Sequence, residues 1–220
     1  KIPLSHINAI SGELNNALIK RAVDLSILNL GSPPVDFAWF SIGSQGRKEQ
    51  LLFTDQNSFL IFEDVASEKS AFVKDYFLKL ANKVISILES VGYGLSQNNY
   101  RATNPEWCKS FTDWSNQFNV WMNFPGEKTN PIATLFFDFE LAYGSTEIEE
   151  NLNEIIFKNL DNAKKFLAYL GAETLKRPAP LTFFKQFNVE EEGDYKDYFD
   201  IKNRAILTLV DAARLLILSH

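Results

Sequence analysis

The sequence has few residues of the kinds that build disulfide frameworks or thiol-based metal sites. Its 220 residues include one cysteine, one methionine and two histidines. A lone Cys108 excludes a disulfide within the chain and any zinc site built on several cysteines. Such sparing use of cysteine is typical of a reducing compartment, so we expect a cytoplasmic protein.

Long apolar runs and an excess of positive charge are also missing. The sequence has no signal peptide and no run of about 18 apolar residues, which argues against a membrane partner. Its net charge of -6 argues against nucleic acid as the main partner. We therefore expect a small molecule or a protein. The chain begins at Lys1 rather than Met and ends inside an apolar helical pattern, so we expect a piece of a longer protein.

Apolar residues make up 45% of the chain, and their spacing predicts an α/β protein. One helix should span Leu4–Leu30, a second should carry the stripe from Val73 to Val91, and the apolar run 37–42 is typical of a buried strand. Four further elements are predicted: a helix from Asn104-Pro105 that carries Trp107, Trp114 and Trp121, a strand over Ile132–Ala142, and helices from Thr146 to Gly171 and from Ala205 to Leu218. The tryptophan stripe is interpreted as a helix packed on the sheet rather than a base-stacking pocket.

A glycine-serine turn follows the first strand. Gly43 and Ser44 should leave backbone N–H groups free at the start of the next segment, a suitable seat for a phosphate. Gly46 and Arg47 strengthen this interpretation over that of a plain turn, because an arginine binds phosphate in a bidentate manner. Glu49 is expected to orient Arg47 or to cap the turn.

Two acidic positions are candidates for a metal. Ten residues separate Ser44 from Asp55, and a strand that begins near Thr54 would place Asp55 and Asn57 on one face. Divalent ions in phosphoryl-transfer sites need hard oxygen ligands. Asp138, inside an apolar strand, is costly to bury unless it binds a metal, caps a bulge, or pairs with Arg47 or Arg101.

These motifs resemble those of the nucleotidyltransferases of the DNA polymerase β superfamily, which carry Gly-Ser, a spacer and Asp-x-Asp. The run 43–50 followed by 54–57 is most similar to the type fused to CBS-pair and cyclic-nucleotide-binding modules, which are relatives of the protein-PII uridylyltransferases. Further landmarks match in order: Asn104-Pro105-Glu106-Trp107, Phe136-Phe137-Asp138-Phe139, the run 177–184 and Asp200-Ile201-Lys202.

The resemblance implies a fold and a domain division. The fold would be a nucleotidyltransferase-like mixed sheet flanked by helices, followed by a C-terminal helical substrate-binding region. We expect an N-terminal helix at 1–31, a nucleotidyltransferase domain at 32–144 and the C-terminal helical domain at 145–220. Regulatory modules would lie upstream in the full-length protein, in keeping with a role in signal transduction.

The resemblance also implies roles for individual residues. Asp55 and Asp138 would bind Mg²⁺ and act in catalysis together with Asn57. The nucleoside triphosphate would be bound by Gly43, Ser44, Gly46, Arg47 and Lys202, although pairing of Lys202 at the surface or within its helix is an equal alternative. Glu140 stands where related sequences commonly carry arginine, which reverses the local charge.

Asn57 departs from the family pattern, because an amide replaces the second carboxylate and removes one negative charge. Two hypotheses follow. In the first, the chain is a working, slow transferase that moves a nucleoside monophosphate to a protein or small-molecule acceptor. In the second, it is a catalytically degenerate domain that acts as a nucleotide-binding sensor or regulatory module.

Overall fold

The structure is a computed structural model that describes residues 2–51, 56–94, 99–126, 130–160, 163–177, 179–181, 183–184 and 186–219. A π-helical turn over Lys202–Ile206 precedes the last helix. The other elements, in chain order, are α1 (Leu4–Leu30), β1 (Phe37–Ile42), β2 (Ser58–Phe62), α2 (Ser67–Ser90), β3 (Cys108–Ser110), α3 (Phe111–Asn123), α4 (Asn130–Phe137), β4 (Phe139–Gly144), α5 (Thr146–Leu160), α6 (Lys164–Leu175) and α7 (Leu207–Leu218).

The four strands form one mixed sheet in the order β3-β2-β1-β4. Strand β1 pairs antiparallel with both β2 and β4, and β2 pairs parallel with β3. Every residue of β1 and β2 is buried, as expected for the continuous apolar run at 37–42. The predicted fold class, a mixed sheet flanked by helices in an α/β protein, is confirmed.

Side chains alternate between two apolar layers. On one face, Trp39 and Leu60 pack in a core that includes Ile19 of α1 and Phe77 of α2. The other face is aromatic, with Phe59 as its centre. Rings that contact Phe59 at centroid distances from 4.6 to 6.0 Å belong to Phe40, Trp114, Phe136 and Phe139. The aromatic stripe therefore packs on the sheet, as interpreted, through Trp114.

The helix predicted from Asn104-Pro105 is wrong in its first part. Residues 104–107 form a turn in which Asn104 accepts a hydrogen bond from the Glu106 N–H at 3.0 Å, and Cys108–Ser110 then pairs with Leu60–Phe62 as β3. The capping signal at Asn104 is real, but sheet pairing overrides helical continuation. The helix begins at Phe111 instead.

The strand predicted over Ile132–Ala142 is also wrong in its first half. Residues up to Phe137 form α4, in which Ala133 and Phe136 are buried at the helical spacing of three. A short apolar run fits both periodicities, so its neighbours decide the outcome. The strand begins at Phe139, and Asp138 lies at the junction between α4 and β4 rather than inside a strand.

The helix predicted from Thr146 to Gly171 is divided into α5 and α6. Gly171 does not end α6, which continues to Leu175. A methyl group at Gly171 would lie 3.4 Å from Leu215 of α7, so the glycine stands where α6 and α7 are close together. Both helices belong to the same compact unit.

The chain forms two compact units, one of Lys1–Phe118 with Pro131–Ile156 and one of Asn119–Asn130 with Phe157–His220. The first contains α1 and the whole sheet. The predicted domain boundaries at 31/32 and 144/145 stay predictions. Among the described residues, no helix combines the length and the apolar character needed to cross a bilayer.

Candidate functional site

Three chain segments meet at the end of β1. The Ile42 N–H donates to the Asn57 carbonyl at 3.1 Å, and the Gly43 N–H donates to the Asp138 carbonyl at 2.8 Å. Asn57 directly precedes β2 and Asp138 directly precedes β4, so each flanks one edge of the central strand. The sheet pairing thus brings together two predicted site residues that lie far apart in the sequence.

The turn after β1 depends on two glycines. Gly43 has a φ of 72°, in the left-handed region that glycine adopts without a steric penalty. A Cβ at Gly46 would lie 2.1 Å from the Asp138 carbonyl oxygen, so only a residue without a side chain lets the turn lie against this backbone. Both glycines that the sequence singles out therefore have a structural reason.

The turn is held by backbone hydrogen bonds from Arg47 to the Gly43 carbonyl at 3.0 Å and from Glu49 to the Ser44 carbonyl at 2.8 Å. Within the described part of the chain, no acceptor pairs with the N–H groups of Ser44, Gln45 and Gly46. Successive unpaired N–H groups at the start of a turn form a concavity of positive potential. The turn has the donors that an anion requires.

Arg47 forms two ion pairs with its guanidinium group. Its Nη1 donates to Asp138 Oδ2 at 2.5 Å, and its Nε donates to Glu49 Oε2 at 2.9 Å. The Asp138 side chain is 7% exposed and that of Arg47 is 24% exposed. Of the two arginines considered as partners for Asp138, Arg47 is the one that pairs with it, and Glu49 does orient Arg47.

Lys48 and Glu140 form a second ion pair beside the first, at 3.2 Å from Nζ to Oε1. Sequence reasoning did not single out Lys48. The sequence did contain a signal for this ion pair: Lys48 follows Arg47, and Glu140 lies two positions after Asp138. Glu140 is therefore neutralised by a cation of the turn.

Ser44 and Gln50 connect the turn to the segment that follows it. The exposed Ser44 donates its hydroxyl to Gln50 Oε1 at 3.2 Å, whereas the buried Gln45 donates to Asn16 of α1 at 3.1 Å. Gln50 and Gln56 are buried, and their amide nitrogens have no hydrogen-bond partner among the described residues. Unpaired buried donors are costly, and these two glutamines were missed at the sequence level.

Two of the residues predicted to bind magnesium or to act with it, Asn57 and Asp138, flank the end of β1, and the metal itself stays a prediction. Asn57 Oδ1 is buried and has no hydrogen-bond partner among the described residues, which leaves a hard oxygen of the kind that Mg²⁺ binds. Asp138 supplies a carboxylate nearby, although Arg47 occupies one of its oxygens. In the ranges that the structure describes, no three His, Cys, Asp or Glu side chains form a metal cluster; Asp55 lies outside those ranges.

Lys202 belongs to the second compact unit. It begins the π-helical turn and its side chain is exposed. The preceding Asp200 accepts hydrogen bonds from the Asn203 backbone and side-chain amides at 2.9 and 2.6 Å. These bonds hold the pKa of the Asp200 carboxyl below its usual range. A role for Lys202 in nucleotide binding stays a prediction, as do the roles of the other site residues.

Two family models match the chain. The model described as "Putative nucleotidyltransferase DUF294" matches residues 1–128, and the model described as "Putative nucleotidyltransferase substrate binding domain" matches residues 164–220. No curated protein matches it. Because the first model alone covers more than half of the chain and contains the β1 turn, the chain belongs to this nucleotidyltransferase family.

Proposed function

We propose that the chain binds a magnesium–nucleoside triphosphate at the turn after β1 and transfers the nucleoside monophosphate to a protein or small-molecule acceptor. The observation that carries this proposal is the set of donors on the turn, namely three unpaired backbone N–H groups beside the Arg47 guanidinium. A triphosphate presents several charged oxygens within a few ångströms. Backbone N–H groups and a guanidinium are the groups that bind such oxygens in proteins.

The Arg47–Asp138 ion pair connects the proposed phosphate-binding turn with the proposed metal-binding carboxylate. Phosphate oxygens compete with Asp138 for the guanidinium, because arginine forms bidentate bonds with either anion. When Arg47 turns to phosphate, Asp138 Oδ2 gives up its hydrogen bond with Arg47 and can bind a cation. Glu49 still holds the Arg47 Nε at 2.9 Å, so the side chain pivots rather than leaves.

The chemical step is a displacement at the α-phosphorus. An acceptor hydroxyl oxygen forms the new bond to the α-phosphorus and releases its proton to solvent. The bond from the α-phosphorus to the oxygen that bridges to the β-phosphate breaks, and pyrophosphate leaves with the electron pair. The turn N–H groups and Arg47 hold the triphosphate and neutralise its charge. A bound magnesium ion supplies Lewis-acid neutralisation of the phosphate oxygens, and Asp138, Asn57 and Asp55 are the residues proposed to hold it.

A second function, that of a nucleotide-binding sensor without turnover, is favoured by Asn57. An amide oxygen lacks the charge of the carboxylate that activates an acceptor hydroxyl through a metal. Arg47 also pairs with Asp138 and offsets part of its carboxylate charge. Nucleotide binding depends on the turn and survives this loss, whereas transfer does not.

Calorimetric titration with Mg-ATP and Mg-UTP, followed by a pyrophosphate-release assay, distinguishes the two functions. The test variant is Asn57→Asp, which restores the family carboxylate. The matched control is Asn151→Asp, which adds the same charge on an exposed position of α5 in the same unit.

Three outcomes decide the matter. Turnover by the wild-type chain supports the transferase and eliminates the sensor. Binding without pyrophosphate release, with activity gained in Asn57→Asp but not in Asn151→Asp, supports the sensor. If neither nucleotide binds, both functions are rejected.

A further inference from the structure

Gln50 is buried next to the turn after β1 and contacts the start of that turn. Its Oε1 accepts a hydrogen bond from the Ser44 hydroxyl at 3.2 Å. The backbone explains why these residues meet, because the Glu49 N–H donates to the Ser44 carbonyl at 2.8 Å and returns the chain to Ser44. Gln50 is 3% exposed, whereas Ser44 is exposed. The pair thus connects a buried amide to a hydroxyl that faces solvent.

The nitrogen of the same amide has no partner. Gln50 Nε2 is buried and forms no hydrogen bond with any described residue. An unpaired buried donor is costly and uncommon in protein interiors. A ligand cannot pair with this nitrogen directly, because the atom is out of contact with solvent. The nitrogen gains a partner only if the side chain rearranges inside the protein.

A half-turn of the amide group provides that rearrangement. The oxygen and nitrogen of a glutamine amide have nearly the same size, so the rotation exchanges their positions. Nε2 would then take the position of Oε1, which lies 3.2 Å from Ser44 Oγ. The serine oxygen accepts this bond and its hydrogen rotates away. The two amide orientations therefore send the Ser44 hydrogen in different directions, inward to Gln50 or outward to solvent.

A count of hydrogen bonds shows which orientation a phosphate favours. Without an anion, either orientation forms one hydrogen bond between Ser44 and Gln50. With a phosphate at the turn, the outward orientation forms two, from Nε2 to Ser44 Oγ and from the Ser44 hydroxyl to a phosphate oxygen. The inward orientation cannot form the second bond, because the hydroxyl has a single hydrogen. Bonds to charged acceptors are also the stronger ones.

We propose that Gln50 is a positioning residue for phosphate binding, whose amide turns when an anion arrives and directs the Ser44 hydroxyl hydrogen to a phosphate oxygen. This inference rests on the function proposed above and describes the regulation of the same site. The backbone of the turn need not move, since Gln45 is held by Asn16 of α1 at 3.1 Å and Ser44 is held by Glu49. The adjustable part is the pair of side chains.

The test measures what Ser44→Ala costs when residue 50 differs, by calorimetric titration of the whole chain with Mg-ATP. In the wild type, Ser44→Ala should weaken binding about tenfold, because a hydrogen bond to a charged group is lost. In Gln50→Met, which has no acceptor to retain the hydroxyl hydrogen, the cost should also be about tenfold. In Gln50→Glu, whose carboxylate only accepts, the hydrogen stays inward and Ser44→Ala should cost less than about twofold.

Gln117→Glu is the matched control. Gln117 is a partly buried glutamine of the same compact unit, and its amide oxygen accepts a hydrogen bond from Lys109 at 3.1 Å. The substitution adds the same charge without a contact to Ser44. Ser44→Ala should therefore still cost about tenfold in Gln117→Glu.

Three results would overturn the inference. Ser44→Ala could cost nothing in the wild type but about tenfold in Gln50→Met, which would mean that the amide retains the hydrogen and does not turn. It could cost nothing in both chains, or it could cost as much in Gln50→Glu as in the wild type. A circular dichroism spectrum establishes whether Gln50→Glu is folded; if it is not, the comparison of the wild type with Gln50→Met decides the test.

A parallel titration with sodium tripolyphosphate separates this inference from the proposed function. If Mg-ATP binds and the Ser44→Ala costs follow one of the overturning patterns, the role of Gln50 is rejected and the proposed function stands. If Mg-ATP fails to bind while tripolyphosphate binds with the expected costs, the proposed function is rejected and the role of Gln50 stands. If neither binds, both are rejected.

Discussion

Gly46→Ala should disrupt the turn after β1, because the added methyl group has no space. Its carbon would lie 2.1 Å from the Asp138 carbonyl oxygen, 2.6 Å from the carbonyl carbon and 2.9 Å from Phe139 Cα. All three atoms belong to backbone, which cannot rotate away as a side chain would. The turn must therefore move off the segment before β4.

The magnitude follows from what that movement breaks. Overpacking against rigid neighbours costs about 1–3 kcal/mol, and the hydrogen bond from Gly43 to Asp138 contributes about 1 kcal/mol. We expect Gly46→Ala to lower the free energy of unfolding by about 2–4 kcal/mol and the melting temperature by about 5–15 °C. Mg-ATP binding should be lost as well, since the turn no longer presents its N–H groups beside Arg47.

Gly12→Ala is the matched control. Gly12 lies inside α1, and a methyl group there would contact nothing within 4 Å. Alanine is a better helix former than glycine, so the same substitution should stabilise the chain by about 0.5–1 kcal/mol. The two variants should thus shift stability in opposite directions and only one should lose nucleotide.

Urea unfolding followed by tryptophan fluorescence measures both variants. Trp39, Trp107 and Trp114 report on the first compact unit, which contains both glycines. A Gly46→Ala midpoint equal to that of the wild type would refute the reasoning, because it would mean that the turn accommodates a side chain. Loss of nucleotide from Gly12→Ala would equally contradict a local effect.

Three further results are expected. Asp138→Asn breaks an ion pair of which one member is buried and should lower the free energy of unfolding in urea by about 1–3 kcal/mol. Asp75→Asn breaks an exposed pair and should lower it by less than about 0.5 kcal/mol. Similar losses in the two variants would contradict this expectation. Burial raises the pKa of the Cys108 thiol to about 12, so thiol reagents at neutral pH should label it only after unfolding. Burial also raises the pKa of Tyr93 above its ordinary value of 10.0. Because the folded chain then retains a proton that the unfolded chain releases, the urea midpoint should fall as the pH rises past 10.0, and a Tyr93→Phe variant should lose less.

The parts of the fold that could be predicted are those whose signals are local. Helix α1 spans the predicted range and ends before Gly31, although Ile10 is exposed and Asn15 is buried. Strand β1 is a continuous apolar run. Both facts are visible in a window of a few residues. Burial then favours the sheet interior for the continuous apolar run, whereas the mixed sheet flanked by helices was implied by the resemblance to the nucleotidyltransferases.

The parts that could not be predicted depend on a partner distant in the sequence. Cys108–Ser110 becomes a strand only because Leu60–Phe62 offers an open edge, and 132–137 becomes a helix because Phe136 meets the rings around Phe59. Spacing within each segment does not contain this information. The segment's own periodicity was ambiguous in both cases.

The same limit applies to the site. The motif residues Gly43, Gly46 and Arg47 lie close together in the sequence, so their grouping in one turn was predictable. Arg47 and Asp138 are 91 positions apart, and Arg101 was an equal candidate until the β1–β4 pairing was known. The ion pair between Lys48 and Glu140 depends on the same strand pairing, because β4 places Glu140 opposite Ser41, shortly before the turn.

The close approach of Gly46 to the backbone before β4 affects how activity can be inferred in this family. A chain that lost transfer would still need Gly46 to fold, because the contact is with the carbonyl oxygen of Asp138 and not with nucleotide. The glycines therefore indicate membership of the family, but they do not indicate whether a member is active. Asn57 is different, since its buried side-chain oxygen has no hydrogen-bond partner among the described residues. If the proposed roles hold, activity among relatives should follow the residue at position 57 rather than the glycines.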